Sequence, residues 1–146
     1  MPFLRRSTRL EITVQQWEKM RDDAEQKSPE EACGLLAGTI DKDSYKTVCV
    51  IPTTNILHSP VGYRLDPQEQ LELFKQIEEQ DWELIGIYHS HPKGPEEPSS
   101  IDIAEAYYPE VVYLIWCGWA GDWTCRGFLI QEEMVQEIPV MVKEED

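Results

Sequence analysis

The sequence predicts an α+β protein in which a mixed β-sheet is flanked by helices. Two observations carry this expectation. Stretches with apolar residues at helical spacing and explicit end signals are interspersed with short alternating or wholly apolar runs that read as strands. Their order along the chain, α-β-β-α-β-α-β-β, lacks the strict strand-helix repetition of an all-parallel sheet and fits an α+β or three-layer arrangement. At 146 residues the chain is one domain's worth, read as a single domain over 1–146, and long enough to bury a core of its own.

The first helix begins at Thr13. Gln16 occupies the partner position of a capping box, and Ile12 with Trp17 supplies the hydrophobic staple. Val14, Trp17, Met20 or Arg21, and Ala24 form one apolar stripe, and Ser28-Pro29 stops the helix. Ala32 to Thr39 reads as a buried strand whose glycines permit close backbone approach. Asp41 to Ser44 turns the chain into an alternating strand from Tyr45 to Ile51, so the two form a hairpin. Asn55 to Leu65, broken by Pro60 and Gly62 and carrying the exposed His58, reads as a flexible loop or short edge strand. Asp66 then caps a second helix, with Pro67 in its first turn and Glu69 three residues after the cap. Leu71, Phe74 and Ile77 are its expected buried face, and it ends near Asp81. Trp82 to His91 is a central strand with Ile85, Ile87, His89 and His91 on one face. A loop from Lys93 to Pro98 leads into a short helix from Ser99 to Tyr107, stopped by Pro109. Val111 to Trp119 and Trp123 to Ile130 are strands paired around Ala120-Gly121-Asp122. The last residues, about 141–146, read as a frayed acidic tail.

The net charge of −15, from 28 acidic and 13 basic side chains, argues against nucleic acid, which needs clustered Lys and Arg. It favours solubility and basic partners, and a saline habitat is another source of such acidity. No apolar run approaches the roughly 18 residues of a membrane span. The N-terminal Met1 to Arg6 lacks the apolar core of a signal peptide. A cytoplasmic protein without membrane contact is expected. Cys33, Cys49, Cys117 and Cys125 form no CxxC pair, which excludes a thiolate zinc knuckle. They are read as free thiols acting as small hydrophobes. Cys117 and Cys125 could face one another across a hairpin, but a reducing compartment disfavours the disulfide.

The chemistry concentrates in His89-Ser90-His91-Pro92, followed by Ser99 and Asp102. Histidines two apart on a strand point to the same face, so their rings can converge on one ion. With Asp102 they make three nitrogen or oxygen ligands and leave a fourth tetrahedral position open, which separates a catalytic zinc site from a structural one. Ser99-Ser100-Ile101-Asp102 is also a helix-capping signature. The two roles are compatible, because a capped helix is a rigid mount for a ligand and a hydroxyl. Glu31, read from spacing alone, is either a solvated carboxylate beside Glu30 or a base within reach of the metal.

Glu31-Ala32-Cys33-Gly34 together with His89-Ser90-His91-Pro92, Ser99 and Asp102 resembles the JAMM (MPN+) metalloprotease motif, Glu … His-x-His-Pro … Ser-x-x-Asp. The resemblance implies the MPN (JAB/cytidine deaminase-like) fold and one Zn2+ held by His89, His91 and Asp102. It implies Glu31 as general base and acid, with Ser99 bonding the tetrahedral intermediate. No motif position is substituted, unlike in metal-free scaffold members of the family. The short stretch after Asp102 leaves no room for the second insertion of some eukaryotic deubiquitinases. The implied activity is hydrolysis of the amide bond after the C-terminal tail of a ubiquitin-like or sulfur-carrier protein ending in Gly-Gly. By the same resemblance, Asn55 to Leu65 lies beside the groove, with Val61, Gly62 and Tyr63 as tail-binding residues. Two alternatives are a zinc hydrolase of small peptides or amides and a non-catalytic MPN scaffold. A monomer and a homodimer are both compatible with the sequence.

Overall fold

Thr13 ends one element and caps the next. In the computed structural model, which describes residues 8–118 and 121–144, β1 (Arg9–Thr13) runs directly into α1 (Val14–Lys27). The Thr13 hydroxyl accepts the Gln16 N–H at 3.1 Å, and the Gln16 side chain accepts the Thr13 N–H at 2.9 Å. This is the reciprocal capping box read from sequence. Ile12 and Trp17 join the same core cluster, as the staple requires.

The chain continues through β2 (Cys33–Asp41), β3 (Ser44–Thr53), α2 (Pro67–Glu79), β4 (Glu83–His91) and α3 (Ser100–Ala104). It ends with β5 (Val112–Cys117), β6 (Thr124–Gln131), β7 (Met134–Ile138) and β8 (Val140–Lys143). Among the described residues these strands form one sheet in the order β7-β6-β5-β4-β2-β3-β1-β8. The β1–β3, β1–β8 and β4–β5 pairs are parallel and the others antiparallel. The sheet is therefore mixed, as the element order predicts. Opposite ends of that order, β7 and β8, are separated in sequence by Pro139 alone. The sheet must curl until its two edges approach, and Val140 comes within 3.2 Å of where a side chain on Gly127 of β6 would begin.

Each face of the sheet buries its own cluster. Leu10, Ile12, Tyr45, Tyr88, Leu114 and Trp116 pack with Met20 and Ala24 of α1. Leu35, Ile87, Ile115 and Phe128 pack on the other face with Ile77, Phe74 and Leu73 of α2 and Ile103 of α3. At about 25 cal/mol per Å2 of apolar surface, each large side chain removed from water contributes roughly 1.5–3 kcal/mol. These two layers position the His89–His91 end of β4.

Several details depart from the sequence reading. The strands β1, β7 and β8 add to the element order read from the sequence, and residues 141–143 are strand rather than frayed tail. Val140 to Lys143 pairs with β1 from Leu10 to Thr13, and Lys143 Nζ reaches Glu11 Oε1 at 2.7 Å. Residues 145–146 of that tail, Trp119 at the predicted strand end and Ala120 in the predicted turn lie outside the described residues. Ile85 does not share a face with Ile87. The β2–β4 register passes from Leu36↔Gly86 to Ala37↔Leu84 and skips Ile85. Such a bulge turns the side chain over, and Ile85 joins the α1-side cluster. Leu71 is 64% exposed, and Leu73 takes its place under α2. The short helix ends at Ala104 rather than Tyr107. Cys125 sits opposite Trp116 and Cys117 opposite Thr124, and all four cysteines are free. No helix among the described residues is long and apolar enough to cross a membrane.

Candidate metal centre

The C-terminal end of β4 is flanked on both sides by strands. Cys33 of β2 is the register partner of His89, and Cys117 of β5 that of His91. Both histidines are buried on the α2 side of the sheet. Opposite them, Ser99 caps α3: its hydroxyl accepts the Asp102 N–H at 3.0 Å, and Asp102 Oδ2 accepts the Ser99 N–H at 2.9 Å. That reciprocal cap delivers the same Asp102 oxygen to the histidines. His89 Nε2, His91 Nε2 and Asp102 Oδ2 stand 3.1 Å from one another along all three edges of a triangle.

His91 Nδ1 lies 2.7 Å from the Pro95 carbonyl. A carbonyl can only accept, so Nδ1 carries a proton, and in the neutral form of the ring the Nε2 lone pair would point at the triangle. That lone pair would then face a carboxylate oxygen at 3.1 Å, which requires a cation between them. A proton serves one edge of such a triangle, whereas a divalent ion serves all three. Tetrahedral ligands about 2.0–2.1 Å from zinc are separated by roughly 3.3 Å, close to the observed edges. The donor set therefore fits a metal ion.

Glu31, 5% exposed, completes the cluster just ahead of β2. Ligand atoms of Glu31, His89 and His91 all lie within 4.8 Å of one another. Glu31 Oε1 is buried without a hydrogen-bond partner, as is His89 Nδ1. Burial pushes the Glu31 carboxyl up to about 8, with Asp102 adding to the rise and His91 opposing it. Burial lowers the pKa of His89 despite its contact with Asp102. For His91 burial is outweighed by the bonds to Asp102 and Pro95, and its pKa rises. Burial also works against the Asp102 carboxylate, but the two histidine rings in contact with it hold it well below the usual range.

The structure thus brings Glu31, His89, His91, Ser99 and Asp102 to one place. Of the segment read as tail-binding, Tyr63 stacks on the His89 ring at 4.5 Å between centroids and 22° between planes. Val61 is 79% exposed, and the Gly62 carbonyl accepts a bond from Asn55 Nδ2 at 2.9 Å. The segment is a tied arm, closed by the Asn55↔Leu65 bridge and by the Ile56 N–H bond to the Arg64 carbonyl.

Residues 13–128 match the family of prokaryotic homologs of the JAB domain. The chain belongs to this family. Three relatives of this JAB domain show how far the likeness extends. A desampylase from Haloferax volcanii is 38% identical over 96 residues, covering 65% of this chain and 68% of its own. A probable TtuB-protein conjugate cleaving protease from Thermus thermophilus is 37% identical over 126 residues, 86% of this chain and 77% of its own. The solution structure of a protein from Desulfitobacterium hafniense superposes with a TM-score of 0.85 at 37% identity, covering 93% of this chain and 94% of the other.

Two residues at the JAB site escaped the sequence reading. Ser90, between the two histidines, faces the opposite way, and its Oγ accepts the Ala32 N–H at 2.7 Å. Its own N–H returns a bond to the Ala32 carbonyl at 3.0 Å. Asn55 holds the Glu31 carbonyl at 3.0 Å. An asparagine in a loop carries no signal that its partner lies 24 residues away.

Proposed function

We propose that this JAB domain is a zinc-dependent isopeptidase or peptidase that cleaves the amide bond after the C-terminal tail of a ubiquitin-like or sulfur-carrier protein. It would act in the cytoplasm as a single domain. The observation that carries the reading is the His89–His91–Asp102 triangle with the unpartnered Glu31 Oε1 beside it. Relatives named for cleaving TtuB-protein conjugates and CysO-cysteine supply the substrate class.

His89, His91 and Asp102 would hold the ion. Zinc held there would supply Lewis-acid chemistry, making a water more acidic and a substrate carbonyl more electrophilic. Glu31 takes the proton of the attacking water at its free carboxylate oxygen and passes it to the departing amine. Ser99 reconciles its two roles through the direction of its bonds. In the cap its oxygen accepts from the Asp102 N–H, which leaves the hydroxyl proton free to donate to the developing oxyanion. Tyr63 holds the His89 ring in plane by stacking. It also lines a cleft of about 210 Å3 with Arg64, Phe74, Tyr107 and Tyr108, next to the site, where the substrate can lie.

The test is a linear fusion in which a ubiquitin-like sulfur carrier ending in Gly-Gly precedes a reporter protein. The purified chain should contain about one zinc and release the reporter, and a chelator should stop it. Undiminished cleavage after the metal has been stripped would overturn the assignment. Equal turnover of the fusion and of its isolated tail peptide would place the activity on small peptides instead.

A further inference from the structure

Asn55 is buried, at 4% exposure, and its side-chain amide makes four hydrogen bonds. Nδ2 donates to the Glu31 carbonyl at 3.0 Å and to the Gly62 carbonyl at 2.9 Å. Oδ1 accepts the N–H groups of Leu57 and Arg64, each at 3.1 Å. A primary amide has two donors and two acceptor lone pairs, so the capacity of this side chain is filled. Aspartate would lose both donors, and glutamine would displace the amide by one methylene.

Three of these partners belong to the arm from 55 to 65, and the fourth is the peptide of Glu31. The tie is doubled, because the Glu31 N–H donates to the Ser59 carbonyl at 2.8 Å. Both backbone polar groups of Glu31 are thus held by the arm. From Ala32 onward the backbone is held by β4, through Ser90. Glu31 therefore stands where control of the backbone passes from arm to sheet. The same arm presents Val61 outward and lays Tyr63 on His89.

We propose that Asn55 is a positioning residue: it fastens the arm beside the cleft to the peptide that carries Glu31, so that arm and base form one rigid unit. This rests on Glu31 acting as the base. The Glu31 side chain reaches the site from its own backbone, so freeing that peptide lets the carboxylate move. A displacement of about 1 Å in a reacting group costs up to about 100-fold in rate.

The experiment is a double-mutant cycle of Asn55→Ala and Glu31→Gln, read as single-turnover cleavage of the sulfur-carrier fusion with enzyme in excess. Asn55→Asp runs alongside, because it keeps the two acceptor bonds of the arm and removes only the donors. Asn55→Ala and Asn55→Asp should each lower the rate about 10- to 100-fold with zinc content unchanged. In the Glu31→Gln background the further loss should be under about threefold, because the group being positioned is already inactive. Equal losses in both backgrounds would overturn the proposal, since a purely structural residue acts regardless of the base. Hydrogen exchange on the zinc-loaded protein tests the same link without turnover. Asn55→Asp should raise exchange in 30–32 together with 56–64, and faster exchange in 56–64 alone would overturn it. If the wild type fails to cleave the fusion, the proposed activity falls while the exchange result still decides the clamp. If the wild type cleaves and the cycle is additive, the clamp falls and the activity stands.

Discussion

Replacing Ser99 with alanine removes one oxygen from two interactions, and the structure allows their effects to be separated. The lost cap leaves the Asp102 N–H without its 3.0 Å acceptor at the start of a five-residue helix. Loss of such a cap costs about 1 kcal/mol, which lowers the Tm of a chain this size by roughly 2–5 °C. The metal should stay. The return bond of the cap runs from the Ser99 backbone N–H to Asp102 Oδ2 at 2.9 Å, and alanine keeps that N–H. The carboxylate therefore remains anchored where it meets the two histidines. Chemistry should suffer more than folding, because losing an oxyanion donor reduces kcat by about 10²–10³. Ser99→Thr keeps the hydroxyl and should restore the melting temperature. Zinc analysis, thermal melts and steady-state kinetics on the two variants give the answer. A Ser99→Ala protein with lowered Tm and normal kcat would refute the catalytic role and leave only the cap. One that has lost its zinc would refute the claim that the backbone bond suffices to hold Asp102.

Other perturbations separate the remaining roles. His89→Ala or Asp102→Ala removes one of the three ligands proposed above, so metal analysis should find zinc lost, and full occupancy would remove that residue from the ligand set. Glu31→Gln keeps size but cannot take a proton, so zinc should stay while kcat falls by around 10²–10⁴; wild-type turnover would exclude Glu31 as the base. Far from the metal, the Lys143 hydrogen bond, with further bonds from Ser44 and Arg9, lowers the Glu11 pKa from 4.5 to about 2. A depressed carboxyl contributes stability that is full above pH 4.5 and is lost as pH falls toward 2. Because Arg9 and Lys143 are about half exposed, the contribution should be about 1–2 kcal/mol after solvent screening. Denaturant titrations of wild type and Glu11→Gln should differ near pH 7 and converge near pH 2, and a constant gap would refute the linkage.

What could be read from the sequence was local. The boxes at Thr13/Gln16 and Ser99/Asp102, the Ser28-Pro29 stop of α1 and the two histidines on one strand face all follow from spacings of a few residues. The motif resemblance then joined Glu31 to the histidines across a distance that no spacing rule covers. The misses are all matters of partnership. Whether Leu71 or Leu73 faces inward depends on what α2 packs against, because both lie on an apolar stripe with Phe74. Ile85 turns over because β2 sets the register of β4, and no pattern within β4 announces it. The strand Val140–Lys143 has exposed apolar residues at Met141 and Val142 beside an acidic end, which masks an edge strand whose partner is the first strand of the sheet. Asn55 follows the same logic, since its meaning lies in the peptide it holds.

The pairing of β1 with β8 governs when this sheet can be finished. Glu11 and Lys143, bonded across it, are 132 positions apart, so β1 leaves the ribosome long before its outer neighbour is made. Until β8 arrives, β1 carries an open hydrogen-bonding edge, the feature that templates chain-to-chain association. Contacts between such distant residues also form slowly, because a long loop must close first. The strand that carries His89 and His91 and the helix α3 precede β8 in sequence and make none of its pairing. The nascent chain can therefore bring His89, His91 and Asp102 together while one side of its sheet is still unsealed. Sealing then depends on the step over Pro139, which turns the chain from one rim of the curled sheet to the other.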